Sequence, residues 1–302
     1  MDTRQLDNRS AAISGLWLPL VTPFREGRLD ERSLLRLSRH YLGQPVDGLI
    51  LAATTGEGLT LDEAETERLA ALAAAEVAGR LPLYLRLSGS DTRKLAKTLA
   101  QRAAWPVEGY LVACPYYLRP SQEGLYRHFA ALAEATDRPI LIYNIPYRTG
   151  VNATNETLLR LAEFPNIIGL KDCAADEAQS AELLRRKPAG FSVLTGEDAQ
   201  FHAALAQGAD GGILATAHLR TEGFASARAQ FLAGNNAAAR EVWHSLIDLV
   251  RLLFAEPSPA PVKFCLWQQG LIASPEVRLP MTEVTTALAA RLSTALTAAA
   301  AA

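Results

Sequence analysis

Ile167-Ile168-Gly169-Leu170-Lys171-Asp172 joins a short apolar run directly to a lysine. Such a run reads as a strand buried on both faces, carrying an amine at its C-terminal tip. Lysine is scarce in the chain, which has only Lys94, Lys97, Lys171, Lys187 and Lys263. Taken alone, a strand-end lysine is most simply a group that reaches solvent, because lysines are seldom buried. The sequence on either side decides what kind of sheet the run belongs to.

Similar apolar, β-rich runs recur in both directions. They are Leu16–Val21, Gly48–Ala52, Leu83–Leu87, Gly109–Ala113, Ile140–Tyr143, Ile167–Leu170, Phe191–Leu194 and Gly212–Leu214. Amphipathic stretches alternate with them: Glu31–Tyr41, Asp62–Ala78, Thr92–Ala103, Gln122–Ala135, Asn155–Glu163, Glu177–Arg185 and Ala199–Gln207. Strand starts fall roughly twenty to thirty-five residues apart, the spacing of βα units. Helix starts carry capping residues: Thr60 or Asp62, Ser121, and Asn152 or Thr154. Eight such units predict an α/β fold, a closed (β/α)8 TIM barrel. A doubly wound sheet is the competing fold, but no GxGxxG follows the first run.

The alternation stops after the eighth run. Beyond it the sequence predicts helices only, at Ala237–Phe254, Val262–Gly270 and Thr282–Ala300, with Glu256-Pro257-Ser258-Pro259-Ala260-Pro261 breaking the first from the second. The expected division is a barrel over residues 1–234 and a small all-helical C-terminal domain over 235–302. Thr297 to Ala302 read as an alanine-rich helix end.

Composition excludes several classes of function. A net charge of −2 in 302 residues gives no basic excess to attract nucleic acid or anionic lipid. Met1 to Ala12 lack the apolar core of a signal peptide, and no apolar run is long enough to span a membrane. Cys114, Cys173 and Cys265 are odd in number and form no CxxC pair, which points to a reducing, cytoplasmic setting without a disulfide or zinc framework. The five histidines, His40, His128, His202, His218 and His244, are scattered and read as surface or packing residues, so no metal site is expected.

A barrel places its chemistry at the C-terminal strand ends. Those ends are Ala53-Thr54-Thr55-Gly56-Glu57-Gly58, Cys114-Pro115-Tyr116-Tyr117, Tyr143 through Gly150, Lys171, Thr195-Gly196-Glu197-Asp198, and Ile213 to Thr216. Each has a structural reading when taken singly. Thr54-Thr55-Gly56 is an ordinary turn composition, Tyr143 suits a barrel rim, Arg148 suits a loop carbonyl, and Glu57 suits a helix cap. Together they form a chemical set. An amine in an apolar surround has its pKa lowered and can attack a ketone to give a Schiff base. Imine formation needs a hydroxyl relay, which Tyr143 and a threonine can supply. The Thr54–Gly56 turn offers N–H groups and hydroxyls to a carboxylate, and Arg148 offers a guanidinium to a second one.

In these motifs the sequence resembles the dihydrodipicolinate synthase / N-acetylneuraminate lyase family of pyruvate-dependent class I aldolases. The resemblance runs from Leu16 to about Thr282. It rests on Leu20-Val21-Thr22-Pro23-Phe24, Thr54-Thr55-Gly56-Glu57, Pro115-Tyr116-Tyr117 through Arg119-Pro120, Tyr143-Asn144-Ile145-Pro146 with Arg148-Thr149-Gly150, Gly169-Leu170-Lys171-Asp172, and Glu256-Pro257 through Pro261-Val262-Lys263. It implies that Lys171 forms the imine with pyruvate, with no other cofactor, and that Tyr143 transfers protons in concert with Thr54. It further implies a Tyr117 donated by a neighbouring subunit of a homotetramer or homodimer. Thr54 and Thr55 would hold the pyruvate carboxylate, Gly56 would join them in binding substrate, and the carbonyl of Ile213 would lie near the site.

Arg148-Thr149-Gly150 is the synthase form of the motif. It implies condensation of pyruvate with L-aspartate 4-semialdehyde to 4-hydroxy-tetrahydrodipicolinate, the step committed to diaminopimelate and lysine. Three positions depart from the pattern. Ala53 stands where glycine is usual and would be strained at positive φ; Tyr147 is bulky beside Arg148; and Gly196-Glu197-Asp198 replaces Gly-Asp-Asp. These departures suit an aldolase of the same family acting on another aldehyde or on a sugar acid. A barrel that binds a keto acid without turning it over is the alternative of another class. Lysine-inhibited members carry histidine, asparagine and glutamate at positions matching Glu63, Asp91 and Leu95, or Lys94 if the match slips by one. Only Tyr116 is retained, so feedback inhibition by lysine is expected to be weak or absent.

Overall fold

The structure, a computed structural model, describes residues 12–301, with side chains described through Thr297. The expectations for Met1–Ala11 and for the last alanines lie outside the described side chains. Eight parallel strands close a barrel: β1 (Gly15–Pro19), β4 (Gly48–Leu51), β5 (Leu83–Leu87), β6 (Gly109–Ala113), β7 (Ile140–Asn144), β8 (Ile167–Asp172), β9 (Ser192–Thr195) and β10 (Gly211–Ile213). The ring closes where β1 pairs with both β4 and β10. A two-stranded hairpin, β2 (Phe24–Arg25) and β3 (Arg28–Leu29), lies outside the barrel and was not legible in the alternation, because its strands are two residues each.

The barrel helices are α1 (Glu31–Leu42), α2 (Glu63–Val77), α3 (Thr92–Gln101), α4 (Gln122–Glu134), the short α5 (Pro146–Thr149), α6 (Asn155–Leu161), α7 (Glu177–Arg186), α8 (Phe201–Ala206) and α9 (Thr221–Leu232). Of the alternatives for the helix starts, the chain uses Asp62, Ser121 and Thr154. Asp62 and Glu65 form a reciprocal capping box at the head of α2; losing such a cap costs about 0.5–2 kcal/mol.

Two apolar layers follow from the period-two alternation of the strands. Trp17, Ile50, Tyr84, Leu111, Leu141, Ile168, Leu194 and Ile213 fill the barrel interior. Trp17 meets Tyr84 edge-on with ring centroids 5.1 Å apart. The alternate residues, such as Leu49, Leu85, Tyr110, Ile142 and Leu170, pack outward against the helices.

The C-terminal helices are α10 (Asn236–Leu253), α11 (Ala260–Gln268) and α12 (Thr286–Ala301). Their apolar side chains, including Leu246, Val250, Val262, Leu288 and Leu292, join the same layer that packs outside the barrel. Trp243 of α10 sits against Phe201 of α8 and Phe224 of α9, at centroid distances of 6.4 and 6.3 Å. The helices that follow residue 234 therefore share a core with the barrel.

Candidate active site

Lys171 and Tyr143 are register partners on adjacent strands β8 and β7, so both project from the same level of the barrel wall. Lys171 lies inside β8, one residue before its end, and is 5% exposed. Its Nζ stands 4.6 Å from the centroid of the Tyr143 ring. Among the described residues Lys171 has no ion pair, which leaves its amine uncommitted. Burial pushes the Tyr143 phenol well above its ordinary pKa, while the Thr54 side chain and the charge of Arg148 act in the opposite sense. A proton is thus held on Tyr143 at rest, with Thr54 placed to exchange it.

Gly196 at the end of β9 is what lets Lys171 reach this position. A Cβ at Gly196 would lie 2.3 Å from Lys171 Cε and 2.4 Å from Cys173 Sγ. Cys173 is fully enclosed, and burial raises its thiol well above the usual value although Lys171 opposes that. It stays protonated beside the lysine and does not compete as a nucleophile. Asp198 is also buried; it accepts from both the N–H and the hydroxyl of Thr216 at 2.7 Å and joins the mouths of β9 and β10. Burial lifts its carboxyl to about 6, against the Thr216 bonds and the charge of Lys171.

The turn after β4 brings Thr54, Thr55 and Gly56 to the same end of the barrel. Its backbone doubles back through bonds from Glu57 N to Thr54 O and from Gly58 N to Ala53 O. Gly58 is obligatory there, since a Cβ would fall 1.8 Å from Ala52 O. Ala53 does not take positive φ; Ala52, at 52°, and Glu57, at 50°, do. Two non-glycine residues therefore hold left-handed backbone within one turn, a strain that surrounding contacts must maintain.

Those contacts come from the far end of the chain. Glu57 is not a helix cap; Asp62 is. Glu57 Oε1 accepts from Lys263 Nζ at 2.7 Å, with the two side chains 2% and 0% exposed, and Oε2 accepts from the Arg278 N–H at 2.8 Å. Lys263 Nζ and the Arg278 guanidinium also lie over the Phe24 ring, at 4.4 and 4.1 Å. A residue 206 positions away thus anchors the turn, a pairing without a local sequence signal.

The remaining expected residues divide into two groups. Ile213 ends β10 inside the barrel and is buried. Arg148 is exposed on the rim in α5, its guanidinium 5.8 Å from the Tyr147 ring, and Tyr147 donates its hydroxyl to Glu197 Oε1 at 3.0 Å across the mouth. Tyr117 stands apart from the others: it is 89% exposed with φ of 72°, its N–H bonded to Thr149 O. Arg86, in the run Leu83-Tyr84-Leu85-Arg86-Leu87, escaped the sequence reading although a charge within an apolar strand was its signal. Among the described residues, no group of three or more His, Cys, Asp or Glu side chains is placed to hold a metal ion. No helix among them is long and apolar enough to cross a membrane.

Fold and site define a (β/α)8 barrel with a buried, uncommitted lysine on its sixth barrel strand, facing a tyrosine on the fifth. The sequence matches the dihydrodipicolinate synthetase family over residues 12–299, and the chain belongs to that family. It is 41% identical over 280 residues to a 4-hydroxy-tetrahydrodipicolinate synthase 2 of Clostridium acetobutylicum, covering 93% of this chain and 98% of that protein. Its structure superimposes on dihydrodipicolinate synthase of Aquifex aeolicus with a TM-score of 0.92 at 33% identity, over 95% and 98% of the two chains. A monomeric dihydrodipicolinate synthase variant matches with a TM-score of 0.91 at 34% identity, over 94% and 96%.

Proposed function

We propose that the protein is a Schiff-base lyase that condenses pyruvate with L-aspartate 4-semialdehyde to give 4-hydroxy-tetrahydrodipicolinate. The observation that carries this reading is the buried, unpaired Lys171 amine 4.6 Å from the Tyr143 ring, in a chain whose relatives are named for that reaction. The Lys171 amine attacks C2 of pyruvate and water leaves, giving an imine. The imine loses a C3 proton to become an enamine, and its C3 attacks the aldehyde carbon. Tyr143 and Thr54 carry the protons that these steps release and consume. The amino group of the aldehyde substrate then displaces Lys171 from C2, closing the ring and freeing the lysine. One water is released overall. The imine itself is the electron sink, so the reading calls for no further cofactor.

Thr54, Thr55 and Gly56 would hold the pyruvate carboxylate, with the Ile213 carbonyl near the site, and the exposed Arg148 would take the carboxylate of the aldehyde. Exposed Tyr117 and Leu118 are suited to a neighbouring copy of the chain, whose site Tyr117 would complete in a homodimer or homotetramer. The division of labour is a site-bearing barrel over 1–234 and a bracing helical layer over 235–302. Three free, buried cysteines support a reducing, cytoplasmic setting.

Borohydride reduction in the presence of pyruvate is expected to leave a mass adduct on Lys171, absent in Lys171→Ala. The purified protein is expected to consume pyruvate only with aspartate semialdehyde among a panel that includes sugar aldehydes. An adduct elsewhere would overturn the mechanism, and a preferred sugar aldehyde would overturn the substrate. A fully active monomer would remove Tyr117 from the site.

A further inference from the structure

Among the described residues, Arg86 is a cation with no hydrogen-bond or ionic partner, set inside the barrel. Tyr84, two residues before it on β5, faces the interior against Trp17, whereas Leu83, Leu85 and Leu87 face the helices. Period-two alternation therefore turns Arg86 inward. The β4–β5 register ends at Leu51 beside Leu85, so Arg86 comes next to Ala52, two residues before Thr54. On its other side it is level with Leu111 of β6.

No hydrogen bond or ion pair to Arg86 exists among the described residues, and its Nε is buried with no acceptor. Burial brings the guanidinium down to about 10, with the phenols of Tyr143 and Tyr116 acting on it in the opposite sense. The group thus lies within the field of the relay tyrosine, on the strand next to the Thr54–Gly56 turn. That turn offers hydroxyls and N–H groups but no positive charge. Lys171 is committed to the ketone carbon, and Arg148 sits outside on the rim.

We propose that Arg86 is the cationic half of the oxo-acid subsite: its guanidinium pairs with the carboxylate of the bound 2-oxo acid from inside the barrel, beside the Thr54–Gly56 turn. This rests on the Schiff-base reading and deepens it. A planar guanidinium with several donors matches a carboxylate, and a carboxylate enclosed in the barrel needs such a partner. The ligand class it selects is a 2-oxo monocarboxylate over a ketone or ester of the same size.

The test is borohydride trapping on the full-length protein, titrated with pyruvate and in parallel with methyl pyruvate, which keeps the ketone and lacks the charge. Arg86→Met is expected to raise the half-saturating pyruvate concentration about ten- to a hundredfold, the scale of one charged hydrogen bond. Methyl pyruvate trapping should stay unchanged, and Arg86→Lys should fall between the two. Pyruvate and methyl pyruvate weakened alike, or neither affected, would overturn the proposal, with circular dichroism verifying that each variant is folded. Absence of any pyruvate adduct on wild-type Lys171 would instead remove the Schiff-base reading itself.

Discussion

Gly196 and Lys171 occupy space that only a hydrogen can share: a methyl on Gly196 would lie 2.3 Å from Lys171 Cε, well inside contact distance. The lysine stem must move if Gly196 gains a side chain, and its amine moves with it. Gly196→Ala is therefore expected to lower kcat by about a hundredfold, the scale of an ångström-sized displacement of a reacting group. Cys173 Sγ, 2.4 Å from the same point, is the second atom in the way. Adding Cys173→Ala to Gly196→Ala should restore part of the rate in a steady-state assay. No recovery would show that the lysine stem alone sets the geometry.

The buried Glu57–Lys263 pair has a predictable signature in stability. Lys263→Met strands a carboxylate with 2% side-chain exposure and should cost about 3–5 kcal/mol in denaturant unfolding. Adding Glu57→Gln should recover much of that loss, because two neutral groups leave no bare charge. A double-mutant cycle with no coupling energy would contradict this account.

His218 gives the stability a pH dependence of definite sign. Its Nδ1 faces Ala215 O at 2.7 Å and its Nε2 accepts from the Val21 N–H at 3.3 Å, an arrangement that only the neutral ring can satisfy. Burial holds its pKa down at about 4, from 6.5. Above 6.5 both folded and unfolded rings are neutral; between 6.5 and 4 the unfolded ring takes a proton that the folded ring refuses. Stability is therefore present at neutral pH and lost as pH falls across that window, by about 3 kcal/mol from this group. His218→Asn should flatten that part of the profile in urea unfolding measured at several pH values.

Saturating L-lysine should leave the initial rate unchanged. Glu63 is paired with Arg102, Asp91 caps α3 by accepting from Lys94 N, and Leu95 is buried. None is free to receive a ligand's ammonium. Saturable inhibition at low lysine concentration would refute this.

The barrel was legible because its strands are apolar on both faces and many of its helices begin at side-chain caps; the alternation also put Lys171 and Tyr143 at the C-terminal ends of their strands and Arg148 just beyond the latter. What escaped was non-local or hidden by composition. Glu57 looked like a cap because its partner Lys263 is 206 residues away. Positive φ falls on Ala52 and Glu57 rather than on Ala53, because the sequence does not fix which residue of a doubled-back turn takes it. Arg86 was hidden inside an otherwise apolar strand, where alternation puts its charge in the interior rather than on the surface. Tyr117 is exposed, and its proposed role depends on a second copy of the chain, which no spacing along one sequence encodes.

The Glu57–Lys263 contact also orders events during synthesis. The turn that would receive the substrate emerges from the ribosome early, and the ammonium that neutralises its buried acid emerges some two hundred residues later. Until α11 arrives, that carboxylate has a reason to stay in water and the turn has a reason to stay open. The barrel strands can be complete while the mouth is still unformed, so the last quarter of the chain acts as the key that sets the first. A nascent chain stopped short of Lys263 should expose a loose Thr54–Gly58 segment to protease while its strands remain protected.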